Sequence, residues 1–248
     1  MKSKMKILVA FLLLGSSLFS LSADDRSFTY QTYAQRNFDG WPAIIEKQEQ
    51  LAESAPTEAN YVELLANCYG YVGHLLDTHQ KEQAAVWAKT GMNIVKEAKK
   101  KYPESASVMA FESMFIAFQI AITPLKAPFQ ASSMMSTAAK ALKLAPDLYL
   151  ANLAQANIYF YFPEALGGDK KKAIELYRKV YQYFVDHPQI AANSWMYLNV
   201  MTTLSVANDA VGNKVEAKKW LDTALAVEPN FVYAKTILKP RLEGKQNK

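Results

Sequence analysis

The sequence of 248 residues is 50% apolar and 21% charged, with nine Gly, ten Pro and one Cys. That balance excludes a disordered tail, a collagen-like chain and a disulfide-stapled mini-domain, and a chain of this size buries a sizeable core without cross-links. The formal charge of +5 includes Lys2, Lys4 and Lys6; past Ala23 the chain carries 25 basic against 23 acidic side chains, so its basic balance is no argument for nucleic acid.

The basic start leads into an uncharged run from Ile7 to Ala23. Its apolar stretch gives way to Gly15, Ser16 and Ser17 and ends on Ser20, Ser22 and Ala23. This is the pattern of a secretory signal peptide over residues 1–23, cut near Ala23, and the apolar run is shorter than the ~20 residues of a spanning helix. The expected location is therefore periplasmic or secreted, in a bacterial envelope, with membrane contact only during export. Residues 24–40 read as an N-terminal extension, and 41–248 as a single helical domain.

After Phe38 the chain is rich in helix formers, β-branched residues rarely cluster, and nothing alternates with period two. The pattern predicts helices over 41–54, 58–77, 81–101, 104–122, 129–144, 148–162, 170–186, 189–211, 214–227 and 231–243. Pro56, Pro103, Pro146, Pro188 and Pro229 all fall at boundaries between them. The connections are short, which makes consecutive helices antiparallel neighbours.

These boundaries repeat. Val62-x-x-Leu65-Ala66-x-x-Tyr69, Leu150-x-x-Leu153-Ala154-x-x-Asn157 and Met201-x-x-Leu204-Ser205-x-x-Asn208 each run large, apolar, small, then polar or aromatic. A second helix follows each, with a small residue and then a larger one: Ala85 with Trp87 and Ala88, Ala173 with Tyr177, and Ala217 with Leu221 and Ala224 before Pro229. This resembles the tetratricopeptide repeat (TPR) superfamily, with units longer than its usual 34 residues. The resemblance implies an all-α, tetratricopeptide-like right-handed superhelix of antiparallel pairs, over about 58–101, 104–144, 148–186 and 189–228, with a C-terminal capping helix at 231–243. A small residue in each first helix lets its partner approach, and one pair alone cannot bury its apolar stripe, so pairs must stack.

The third pair contains an insertion, Phe162-Pro163-Glu164-Ala165-Leu166-Gly167-Gly168-Asp169. Pro163 stops the helix, Gly167 and Gly168 permit positive φ, and Asp169 is placed to cap the helix that begins at Lys170. This insertion resembles one in the periplasmic T component of tripartite ATP-independent periplasmic (TRAP) transporters. That resemblance implies a transport-associated helical subunit that meets a solute-binding protein, is able to oligomerise and handles an organic-acid or apolar ligand. Those proteins are typically lipoproteins, whereas no Cys lies near the end of this signal segment.

Charge is distributed unevenly between the two helices of each pair. The four predicted first helices, 58–77, 104–122, 148–162 and 189–211, contain no Lys or Arg, while the second helices carry many. The TPR resemblance places first helices on the concave side, so that side is expected to be neutral, either packed shut or lining a groove for a peptide or an apolar ligand. Asn60, Glu63, Asn67, Gln155, Asn199, Thr202 and Asp209 are the candidate inward-facing residues, and Phe162, Pro163, Gly167, Gly168 and Asp169 mark the insertion loop. The absence of cations argues against a clamp for acidic peptide termini.

Other chemistry is sparse. Cys68 lies among small and apolar neighbours and reads as a buried structural thiol. His74, Asp77 and His79 do not share a helix face as metal ligands would. Lys170–Lys172 sit against the dipole of a helix start, which suggests either a solvated basic face or an anion site. The aromatics of 159–162 and of Tyr177, Tyr181, Tyr183 and Phe184 have the spacing of interhelical packing, with Phe162 placed to be an exposed anchor. An enzyme would have to be built on Glu112 or Asp209, with no paired base, nucleophile or phosphate loop to join them. We therefore expect no cofactor, no metal and no catalysis. The expected function is a non-enzymatic exported scaffold for protein–protein interaction in the envelope; the alternative is the transport-associated ligand-binding subunit, with a solute-binding protein as partner.

Overall fold

Four helix starts in this chain are set by a polar side chain at the position where backbone N–H groups lack partners. In a computed structural model that describes residues 23–244, Thr57 caps α3 (Glu58–Asp77), Ser105 caps α5 (Ala106–Ile122), Asp169 caps α8 (Lys170–Asp186) and Asn213 caps α11 (Lys214–Val227). The remaining long helices are α1 (Ala23–Ala34), α2 (Trp41–Ser54), α4 (Lys81–Lys101), α6 (Ala127–Leu144), α7 (Tyr149–Tyr161) and α10 (Trp195–Ala210). No strand occurs among the described residues. The signal segment, apart from Ala23, lies outside them.

Four antiparallel pairs, α3 with α4, α5 with α6, α7 with α8 and α10 with α11, stack in chain order. The small residues of the repeat sit where helices approach: Ala66, Ala154, Ala173, Ser205 and Ala217 are all buried. Ser205 also donates its hydroxyl to the Ala217 carbonyl at 2.6 Å, stitching α10 to α11. Gly91 serves the same purpose between pairs, since a Cβ there would stand 2.3 Å from the Phe115 ring.

The structure departs from the sequence reading at three places. The extension 24–40 contains the helix α1, whose Thr29 and Thr32 hydroxyls bond back to carbonyls three and four residues earlier. The helix expected over 189–211 is broken: a single turn, α9 (Pro188–Ala191), precedes Asn193 in the left-handed region, and α10 starts only at Trp195. The capping helix expected over 231–243 widens into a π-turn at Ala234–Leu238 and continues as α12 (Lys239–Leu242), which accommodates Pro240 and its missing N–H.

The N-terminal helix joins the two ends of the array. Arg26 pairs with Glu63 of α3 at 3.4 Å, Tyr30 donates to Glu228 at 3.2 Å, and Ala34 is buried in a cluster with Leu198, Met201, Phe231 and Leu238. The superhelix is thus closed on its inner side by its own first helix.

Candidate functional site

The inner side holds a cavity of about 640 Å³, bounded by α3, α5, α7, α10, the end of α1 with the segment after it, and the start of the C-terminal helix. It lies at the carbonyl ends of three first helices: its lining begins at Tyr69 in α3, Met114 in α5 and Asn157 in α7 and runs to the last turn of each. Aromatic rings form most of the wall. Tyr69 stacks on Phe118 with centroids 4.9 Å apart, Tyr33 packs on Trp195 at 5.3 Å and on Phe231 at 5.6 Å, and Tyr161, 73% exposed, stands where the cavity opens to solvent.

The polar groups of the wall are mostly bonded to one another. Asn157 donates to the Tyr69 hydroxyl at 3.1 Å and accepts from Tyr177 at 2.8 Å. Asn199 donates to the Tyr33 hydroxyl at 2.9 Å. Burial pushes the Tyr33 and Tyr69 hydroxyls up, so both keep their protons at neutral pH. Arg36, the one cation among the described wall residues, is paired with Asp77 and lies over the Tyr233 ring, 5.4 Å from its centroid. His74 stacks on Phe38 at 3.8 Å, and burial first, then Arg36, lowers its pKa, which keeps it neutral.

Of the residues expected to face inward, Asn199 and Thr202 line the cavity. Asn67 lies one layer beneath: its carbonyl oxygen accepts from the Trp195 indole at 2.9 Å, and its amide nitrogen is buried without a partner. Asn60 is instead a local brace that donates to the Ala55 carbonyl at 2.7 Å. Glu63 faces α1 through Arg26, Gln155 is outside the lining, and Asp209 is tied to Lys214 and, at 3.1 Å, to Arg241. Glu112 holds Lys99 through both oxygens, at 2.7 and 2.9 Å, so both carboxylates considered for catalysis are engaged in ion pairs away from the cavity.

In the insertion loop, Phe162 turns into the cavity wall instead of outward, and the exposed apolar residue is Leu166. Gly167 has φ of +93°, as expected. Gly168 has no such conformation; it is needed because a Cβ would stand 1.9 Å from the Phe162 carbonyl oxygen. Asp169 accepts from the backbone of Lys171 and Lys172 at 3.1 and 3.0 Å, so a carboxylate already occupies the helix start where an anion was considered. Cys68 is fully buried, and burial pushes its thiol up. Among the described residues no group of three His, Cys, Asp or Glu could hold a metal ion, and no helix is long and apolar enough to cross a membrane.

Sequence reasoning missed the residues that α1 and its following turn bring in, Tyr33 and Arg36, because that segment shows no helical stripe. It also missed the meeting of Tyr69 with Asn157. A signal for that was present, since the two hold the same last position in the repeated pattern.

No family model matches the sequence, and no curated protein matches it. Solved structures do resemble it. One chain in the crystal structure of the APC/C hetero-tetramer Cut9-Hcn1 is similar over 89% of this chain at 15% identity, with a TM-score of 0.54; this chain spans about a third of that one, 35%. TTC0263, a thermophilic TPR protein in Thermus thermophilus, is similar over 90% of this chain and 97% of its own, again at 15% identity, with a TM-score of 0.52. At such identity the likeness shows the fold: the chain is an all-α, TPR-like superhelix.

Proposed function

We propose that the protein is an exported, non-enzymatic TPR-like scaffold that binds another protein of the cell envelope. The observation that supports this most is an apolar edge. Antiparallel pairs stacked side by side put every turn within a pair on one edge of the array, and there Leu125 and Phe129 are 84% and 85% exposed, with Leu166 of the insertion loop at 60%. Large apolar side chains grouped this way are the ordinary anchors of a protein interface. Export rests on the basic and apolar start of the sequence, and the single buried thiol is compatible with it.

The test is affinity capture from the envelope of the source cell with the mature chain and with a Leu125→Asp, Phe129→Asp pair. The expected result is a specific protein retained by the first and lost by the second, with unchanged helical circular dichroism. Equal capture by both would refute the edge as the interface.

A second reading, a transport-associated subunit that binds a small ligand beside a solute-binding protein, is favoured by the cavity. Its volume lies within the ~300–1,000 Å³ typical of small-molecule sites.

A further inference from the structure

The chemistry of the cavity wall narrows what could fill it; the ligand class rests on the second, ligand-binding reading and not on the scaffold reading. Three helices, α3, α5 and α7, present their carbonyl ends to the space, which repels an anion. Arg36, the only Lys or Arg among the described wall residues, is already neutralised by Asp77 and covered by Tyr233, so a carboxylate would find no free cation there.

The same carbonyl ends and the aromatic faces draw a cation, but Asp77, the only carboxylate among the described wall residues, is held by the Arg36 pair, so a cationic ligand would find no free counter-charge. What remains are aromatic faces and hydroxyls. Tyr33 and Tyr69 each accept an amide N–H, from Asn199 and Asn157, and neither gives its own proton to an acceptor among the described residues. The Tyr161 hydroxyl likewise has no acceptor among the described residues, and its ring keeps most of its surface free at the cavity's open side. Phenol protons without a protein acceptor on the wall of a cavity are donors for a ligand oxygen.

We infer that the cavity is a binding site for an uncharged aromatic or alicyclic molecule bearing carbonyl or ether oxygens, its body between the Phe118 and Trp195 sides of the wall and its oxygens on the tyrosine hydroxyls. This class differs from the organic acids that the transport resemblance brings to mind.

Nile red serves as the probe: it is flat, uncharged and carries a carbonyl and a ring oxygen. Fluorescence titration of the mature protein should show saturable binding to one site with blue-shifted emission. Ala121→Trp, at the exposed lip of the cavity, should weaken it by about tenfold or more with an unchanged Tm, and Tyr161→Phe, which removes one hydroxyl and little volume, by about threefold to tenfold. Leu125→Asp, outside the wall, should leave it unaltered.

Competition by anilinonaphthalene sulfonate or octanoate at equal or lower concentration than an uncharged quinone would overturn the ligand class while leaving the ligand-binding reading intact. Undiminished dye binding in both Ala121→Trp and Tyr161→Phe would place the dye elsewhere and overturn the site. No saturable binding of either the neutral or the anionic probes would overturn the ligand-binding reading itself, leaving the scaffold.

Discussion

Trp195 is the side chain on which closure of the superhelix can be measured. It opens α10, yet its indole N–H reaches Asn67, 128 residues earlier in α3, at 2.9 Å, and its ring is in edge contact with Trp41 at 5.6 Å. Gly70, one turn after Asn67, makes room for both rings, since a Cβ there would stand 2.7 Å from Trp41 and 2.8 Å from Trp195. Trp195→Phe keeps an aromatic ring but removes the donor. The Asn67 amide nitrogen is already without a partner, so the variant leaves a buried amide with neither end of its side chain bonded. Stranding the carbonyl oxygen costs about 1–3 kcal/mol, and the space vacated by the smaller ring adds about 1 kcal/mol. For a chain of this size that is a fall in Tm of about 4–16 °C, from about 2–4 °C per kcal/mol. Differential scanning calorimetry of Trp195→Phe, Asn67→Leu and the double variant forms a cycle in which the coupling should be about 1–2 kcal/mol, because the second change removes what the first strands. Additive losses would refute the bond as the tie between α3 and α10, as would a single-variant shift below about 2 °C.

Ala173 is fully buried where α8 meets α7, so Ala173→Trp should overpack that interface and cost about 1–3 kcal/mol, read as a lowered Tm. Gly168→Ala should disorder the insertion loop, seen as faster amide exchange at Asp169, whose N–H donates to the Tyr159 carbonyl at 2.8 Å, while the distant α3 keeps its protection. Glu63 has its carboxyl pKa raised by burial, with Arg26 opposing; a raised folded value means that stability is greatest below the unfolded value and falls as pH rises through the folded one. Glu63→Gln should therefore raise Tm at about pH 7 and lose that advantage near pH 4, a thermal melt at the two values being the check.

The helices from 58 to 101 were legible to the residue, because their periodic apolar stripe agrees with the punctuation: Thr57 caps one start, and a left-handed His79 stands in the turn between them. Where local signals conflict, the sequence misleads. Residues 189–194 contain helix formers, but Asn193 takes a left-handed turn that frees Ser194 and Trp195 to begin a new helix aimed at α3. The helix α1 was not legible at all, since Ser27, Thr29 and Thr32 are weak helix formers and much of what holds it lies more than a hundred positions away, at Asn199, Glu228 and Phe231. The cavity inherits that limit: Asn199 and Thr202 were found from the first helices that lack Lys and Arg, whereas Tyr33 and Arg36 arrive only with α1 and the turn after it.

That same helix explains why the inner side is both packed and hollow. A concave surface built of helices without Lys or Arg would expose Trp195 and Phe231 to water if the groove were open. Tyr33 fills the groove at one end, against Trp195 and Phe231, and Arg36 then crosses to Asp77 and Tyr233, so the chain supplies its own first occupant. The rest of the groove, near Phe118 and Tyr161, receives no side chain from α1 and is left as the cavity. Lys and Arg are absent from the first helices for a packing reason at one end, and their absence leaves an aromatic chamber at the other. The two roles divide along the length of the groove, with Asn199, bonded to Tyr33 and lining the cavity, at the boundary between them.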